Sequence, residues 1–377
     1  MKIALVIDDT LDTPDGVQQY VLTLGRWLDS QGHEVHYLAG ETKRTDIPNL
    51  HVLARNRRVR FNGNRLSLPL PASKARIAEL LAQEQFDVVH VQAPYSPFLA
   101  GRIIKRISAK TVVVGNFNIM PYSHSVIWAS RLLAVMNHRT AQRFDAMLAN
   151  TEPTLKFAHD VFGFRPILVP NPFPMADFHV EPSKSRVPLT VIFLGRLVAR
   201  KGAMQLLMAV AYLRTHGLAS TEFRVIVGGK GPLREDLETY VAQQRLNGMV
   251  TFAGFVAEAD KAAFLAQGDL AVFPSLSGES FGISLLEAMA AVRGVVLAGD
   301  NPGYHAVLGP LSTDQLVDPH DIPAFATVLA HWIDSTPARD MAAAAQKEYV
   351  TQFDINVVGS QIVKVYAGAL HSRRGVQ

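Results

Sequence analysis

Two carboxylates, Glu279 and Glu287, stand eight residues apart in PSLSGESFGISLLEAMAA (274–291), and two cations, Arg196 and Lys201, stand close together in FLGRLVARKG (193–202). Carboxylates accept hydrogen bonds from hydroxyls, so sugar or ribose rings are natural partners for the first pair. A planar guanidinium and a mobile ammonium suit a diphosphate. Arg196 follows LTVIFLG (189–195), an apolar run that reads as a strand, and Lys201-Gly202 stands where the next helix begins. Cations at a strand's carboxyl end, beside the unpaired N–H groups of a helix start, make an anion site. The alternative for the two cations is an ordinary solvated surface.

The second loop follows a strand at 269–275, and its helix is predicted to begin near Phe281-Gly282. The backbone amides of Phe281, Gly282 and Ile283 then open that helix, with Glu279 just before it and Glu287 about two turns inside. Eight residues span at most about 12 Å along a helix axis. The carboxylates are too far apart for a paired acid and base, but they suit opposite ends of an extended ligand.

The same letters carry a rival reading, because Gly278-Glu279-Ser280-Phe281-Gly282 matches the G-x-S-x-G nucleophile elbow of serine hydrolases. That elbow needs the serine directly after its strand, an oxyanion loop of the HGGG type, and an acid then a histidine downstream. Asp300 with His305, or Asp318 with His320, would serve as the last two. The oxyanion motif is missing, Ser275 to Gly278 intervene, and Arg196 and Lys201 would have no purpose. Ser280 reads instead as a residue between two polar anchors.

Other patterns are weaker. Asp15-Gly16 lies between the first strand and the first helix, where glycine permits close backbone approach to an anion or simply makes a turn. GGKGP (228–232) follows a strand but is not G-x-G-x-x-G in a first βαβ unit, so a dehydrogenase is not indicated. His33 and His36 lack H-E-x-x-H spacing and are placed beside a strand. No D-x-D occurs, so a metal between carboxylates and a diphosphate is not expected.

The elements that must hold these loops are legible as two series. KIALVI, EVHYLA, FDVVHV, KTVVVGNF and DAMLAN alternate with helical stretches over residues 1–170. LTVIFLG, FRVIVGG, MVTFAGF, DLAVFPS and RGVVLAG do the same over 189–354. Strands alternating with helices predict parallel, doubly wound sheets, so an α/β protein of two Rossmann-like domains facing across a cleft. Residues 171–188 are proline-rich and read as the linker. Ile355, Val358, Ile362, Val365 and Tyr366 make a helical stripe, and that last helix, about 355–377, is expected to pack back on the first domain.

Charge is uneven along the 377 residues: 1–170 hold 20 Lys+Arg against 14 Asp+Glu, the remainder 17 against 19. Residues 43–76 carry nine basic side chains and one acid, Asp46. This stretch is either a solvated face or a surface for anionic lipid headgroups; with Phe61 its only aromatic, it is no nucleic-acid stacking platform. There is no cysteine, and the start MKIALVIDD is too short in apolar residues for a signal peptide. The most apolar segment, SVIWASRLLAVMN (125–137), is interrupted by Arg131 and does not reach a membrane span. These features read as a soluble, cytoplasmic chain.

Together, GRLVARKG, GGKGPL and SGESFGISLLEAMAA resemble the retaining glycosyltransferases of family 4, which have the GT-B fold; Glu279 and Glu287 match their E-x7-E motif. PDGVQQYVLTLGRWLDSQGHEV (14–35) resembles the family's P-G-G-V-Q loop and following helix, and within the family the likeness is greatest to the phosphatidylinositol mannosyltransferases. The resemblance implies that Arg196 and Lys201 hold the donor diphosphate. Glu279 and the amides of Phe281, Gly282 and Ile283 would contact the transferred sugar, Glu287 the ribose, and Gly16 the phosphates. Glu258 and Lys261 fall where such mannosyltransferases read guanine, or form a plain i,i+3 ion pair. Asn118 stands where the family has a histidine against the sugar, and Asp15 and Val292 also depart from its pattern. The implied donor is a GDP- or UDP-sugar, with no metal and no cofactor. The implied acceptor is lipid-linked, met at the inner membrane surface by the basic 43–76 run. A soluble acceptor, a nucleotide-sugar epimerase and a non-catalytic binding protein are the alternatives.

Overall fold

A computed structural model describes residues 1–12, 15–61, 64–69, 72–121, 124–180 and 188–374, with side chains at 56–61, 64–69, 124 and 374 outside the description. The chain divides into two units, residues 1–172 with 355–377, and residues 173–354.

In chain order, unit 1 runs β1 (Lys2–Val6), α1 (Gly16–Ser30), β2 (Glu34–Ala39), β3 (Leu50–Val52), β4 (Asn56–Phe61) and β5 (Asn64–Pro69). It continues with α2 (Lys74–Glu84), β6 (Val88–Gln92), α3 (Leu99–Ile104), β7 (Val112–Phe117) and α4 (His124–Met136). Then come α5 (His138–Ala141), β8 (Ala146–Ala149), α6 (Glu152–Phe162) and β9 (Ile167–Leu168). Unit 2 contains β10 (Leu189–Leu194), α7 (Ala203–Thr215), β11 (Phe223–Gly228), α8 (Arg234–Gln243), β12 (Val250–Gly254) and α9 (Lys261–Leu265). It closes with β13 (Leu270–Phe273), α10 (Ile283–Ala291), β14 (Val295–Gly299), α11 (Pro302–Leu308), β15 (Leu316–Val317), α12 (Ile322–Asp334) and α13 (Thr336–Tyr349). The last helix, α14 (Ile355–Arg374), returns to unit 1.

Each unit is one parallel sheet. The strand orders are β3-β2-β1-β6-β7-β8-β9 and β12-β11-β10-β13-β14-β15; β4 and β5 form a separate antiparallel hairpin. Alternate residues of a strand face opposite sides, so a parallel sheet with helices on both faces needs apolar side chains in both registers. β1 shows this: Ile3 and Leu5 join the core under α1 and α14, while Ala4 and Val6 join the core under α2 and α3. In unit 2, Val191 and Phe193 face the α7–α12 core and Ile192 faces the α10 core.

Val358, Ile362 and Tyr366 of α14 are fully buried in unit 1, and the Tyr366 hydroxyl is hydrogen-bonded to His90 Nδ1 on β6. The proline-rich connection differs from a free linker. Phe173 and Phe178 are buried in the α10 core of unit 2, and Phe173 N–H donates to the Phe353 carbonyl at 3.0 Å. Prolines hid that role, since a 3₁₀ turn (Met175–Phe178) buries aromatics without any helical or strand period. Residues 181–187 lie outside those described.

Ile362→Ala should destabilise unit 1 by about 2–5 kcal/mol in denaturant unfolding, as expected for a large-to-small core change. Burial holds His90 neutral, its pKa pushed down to about 3 from 6.5. The unfolded chain therefore takes up the proton first, so this contribution is complete above pH 6.5 and is lost as pH falls toward 3. Urea unfolding from pH 6.5 to pH 4 should show wild type losing about 1.4 kcal/mol per pH unit more than His90→Gln.

Candidate functional site

In unit 2 the chain runs outward from β10 to β11 and β12, then returns to add β13, β14 and β15 on the other side. The order thus reverses between β10 and β13, and ligands of such sheets bind in the crevice beyond the carboxyl ends at that point. The loops that end β10 (195–202) and β13 (274–282) carry Arg196, Lys201 and Glu279.

These two loops are fastened to one another. The Arg200 carbonyl accepts from Leu276 N–H at 2.8 Å and from Ser275 Oγ at 2.9 Å. Gly202 has φ 75°, and a Cβ there would lie 1.8 Å from the Pro274 carbonyl oxygen, so only glycine lets the backbones meet. The loop ending β11 joins them, because Leu197 N–H donates to the Lys230 carbonyl at 2.9 Å.

Three donors converge on Glu279 Oε1: Lys201 Nζ at 2.8 Å, Arg200 Nη1 at 2.8 Å and Ser275 Oγ at 2.9 Å. Burial alone would raise the carboxyl's pKa, but the charges of Lys201 and Arg200, with the Lys201 and Ser275 hydrogen bonds, hold it below its ordinary value. Arg200 is the member of this cluster that sequence reasoning passed over. It stood in plain sight beside Lys201, and a 3₁₀ turn (Ala199–Lys201) brings both cations to one carboxylate. Arg196, half-buried, follows β10 directly. Arg200 and Lys201 against Glu279 leave this junction with a formal charge of +1.

The helix α10 begins at Ile283 behind Gly282, whose φ is 95°; a Cβ there would come 2.5 Å from the Tyr304 ring. Phe281 turns its ring inward, 5.8 Å from Phe353 and nearly perpendicular to it. The opening amides of α10 therefore have no partner within the helix and carry the positive end of its dipole. Ser280 is not on an elbow: it comes seven residues after the end of β13 and three before α10.

A second cluster is anionic. Lys261 Nζ lies 2.9 Å from Glu287 Oε1 and 3.0 Å from Glu258 Oε2, and the Glu287 side chain is only 5% exposed. Burial would lower the Lys261 pKa, but the two carboxylates raise it above its ordinary value, so the ammonium stays charged. Glu258 and Lys261 thus form the i,i+3 pair, and Glu287 joins it. Between the clusters, the buried Tyr304 hydroxyl is pushed well above its ordinary pKa, by burial first and then by Glu279, with Glu287 adding to the effect.

Gly16 and Asn118 belong to unit 1. Gly16 opens α1, where Asp15 makes no side-chain cap bond. Asn118 follows β7; its Nδ2 donates to Gln92 Oε1 at 3.4 Å, and its buried Oδ1 has no hydrogen-bond partner. Of the basic 43–76 stretch, residues 56–71 have side chains outside the description, and Arg44 Nε donates to Asp46 at 2.6 Å. Among the described residues, one group has metal-ligating atoms clustered within 4.8 Å, namely His36, His51 and Glu84 in unit 1. Lys2 is ion-paired to its Glu84. No helix of the described residues is long and apolar enough to cross a membrane.

Comparison with known proteins gives the class. Residues 14–176 match the family described as Glycosyltransferase Family 4, and residues 177–349 match Glycosyl transferases group 1. The chain belongs to the family 4 glycosyltransferases. Among its relatives, the phosphatidyl-myo-inositol mannosyltransferase of Mycolicibacterium smegmatis is 29% identical over 376 residues, covering 97% of this chain and 93% of that protein. A GDP-mannose-dependent alpha-(1-6)-phosphatidylinositol monomannoside mannosyltransferase of Mycobacterium tuberculosis is 26% identical, covering 93% and 94%. Among solved structures, Anabaena Alr3699/HepE in complex with UDP and glucose superposes with a TM-score of 0.76 at 17% identity, over 97% of this chain and 99% of that one. Sucrose-phosphate synthase from Thermosynechococcus elongatus gives 0.75 at 18% identity, over 99% and 100%. The fold is GT-B.

Lys261→Met leaves Glu287 buried without its counter-charge and should cost about 3–5 kcal/mol in chemical unfolding. Lys261→Met with Glu287→Leu should recover most of that loss, because no uncompensated charge remains.

Proposed function

We propose that this glycosyltransferase moves a hexose, mannose from GDP-mannose, to a lipid-linked acceptor of the phosphatidylinositol type at the inner face of the cell membrane. The observation that carries the donor half is the cluster of Arg200 and Lys201 on Glu279 at the β10–β13 reversal, in the loop that leads into α10. Cations beside a helix start suit a diphosphate. Relatives named as phosphatidyl-myo-inositol mannosyltransferases over nearly the whole chain support the sugar and the acceptor.

In this reading Arg196 and Lys201 bind the diphosphate with the amides of Phe281, Gly282 and Ile283. Glu279 meets the sugar through Oε2, since Oε1 is occupied by three protein donors. Glu287 accepts from the ribose. Glu258 and Lys261 address guanine, whose N1–H and N2–H suit a carboxylate and whose O6 suits an ammonium. The sugar–phosphate bond breaks largely before the acceptor oxygen attacks on the same face, so configuration is retained. Charge then grows on the departing diphosphate, which itself takes the acceptor's proton. Fixed cations and amides stabilise that charge more than the ground state. Asn118 cannot act as a base, and this scheme needs none there.

A second reading is transfer to a soluble acceptor. Incubation with labelled GDP-mannose, UDP-glucose and a total lipid extract separates the two: label in lipid supports the proposal, and label only in water-soluble product overturns it. Arg196→Ala and Lys201→Ala should each lower kcat about 10²–10³-fold. Near-wild-type turnover in either would contradict the assignment. In a thermal shift assay, GDP at 100 times its Kd should stabilise by about 2.7 kcal/mol, and UDP at the same concentration by less.

A further inference from the structure

The helix α4 wears its side chains inside out. Ser130, and Asn137 just beyond the helix, are buried, and Ile127 packs against the Phe117 core beside α6. Trp128, Leu132, Val135 and Met136 are 70%, 62%, 76% and 62% exposed. Positions i, i+4, i+7 and i+8 fall on one stripe of a helix, so these four side chains form a continuous apolar face. Other exposed large apolar residues, such as Phe98, Met208, Phe255 and Met341, are scattered, which is ordinary for a protein surface. Four on one short helix are a contact surface.

The charges around α4 say what covers it. Neither α4 nor α5 carries an acid, and on α6, which packs against α4, Asp160 is ion-paired to Lys156, with Glu152 the other acid of that helix. Exposed Arg131 stands on α4 itself, its guanidinium 5.8 Å over the Trp128 ring, and exposed Arg139 follows on α5. Symmetric pairing of this face with a second copy would bring like charges together. An anionic lipid surface meets the same charges favourably. Thirteen residues make about 20 Å of helix, too short to span a bilayer. That length suits a helix lying in the headgroup layer, with a tryptophan at the polar boundary and arginines reaching the phosphates.

We propose that α4 is an interfacial membrane anchor, which lays Trp128, Leu132, Val135 and Met136 into the headgroup–acyl boundary of an anionic bilayer. It rests on the lipid-acceptor reading for its purpose and adds a surface distinct from the basic 43–76 stretch.

The test uses the full chain and vesicles of phosphatidylcholine, with or without one third phosphatidylglycerol. Wild type should float with the anionic vesicles. Its tryptophan emission should shift to the blue and be quenched by brominated acyl chains, and Trp128→Phe should abolish both signals. Leu132→Ser with Val135→Ser should weaken vesicle binding by about tenfold or more. The variant's melting temperature and its stabilisation by GDP should stay unchanged, since these side chains are exposed. A wild type that does not float, or a double variant that floats as well, overturns the anchor. So does light scattering that shows a dimer dissolved by the double substitution without vesicle binding. Transfer to a water-soluble acceptor by a protein that floats as described would count against the lipid-acceptor reading and leave the anchor standing.

Discussion

One carboxylate oxygen ties two loops of unit 2 together. Glu279 Oε1 receives Lys201, Arg200 and Ser275, and so joins the loop after β10 to the loop after β13 at the point where the sheet reverses. Breaking that junction would leave two cations with less to orient them. The same junction fixes where the remaining positive charge sits, and a fixed charge stabilises a developing anion without reorganising at the moment of reaction. The backbone contact at Gly202 brings these two loops closer than any side chain would allow, and Gly282 leaves room for the Tyr304 ring.

The anionic cluster works by the opposite balance. Lys261 is shared by two carboxylates, one of them almost fully buried, so a ligand that recruits Glu287 or Glu258 must compete with an existing ion pair. Such competition favours a ligand that satisfies the ammonium as it takes a carboxylate.

Sequence patterns disclosed much of this and missed some for definite reasons. The paired sheets were legible because their strands are continuous apolar runs. The short edge strands β3, β9 and β15 carry too few residues to show a period. Arg196, Lys201, Glu279 and Glu287 stood out in the sequence by residue type and spacing, and the structure sets Lys201 on Glu279. Arg200 did not, because its role depends on how a 3₁₀ turn aims adjacent side chains. The Lys261–Glu287 pair joins residues 26 apart, and no local spacing announces it. The outward apolar face of α4 was visible as an apolar segment, but which side packs inward is a tertiary fact.

Unit 1 is discontinuous: residues 355–374 supply Val358, Ile362 and Tyr366 to a core begun by β1. During synthesis, unit 2 therefore emerges complete while unit 1 still lacks part of its interior. Domains fold as units in the order in which the ribosome delivers them. Here the earlier-made unit must wait for the last helix, with apolar surface between β1 and β7 uncovered through the translation of the other unit.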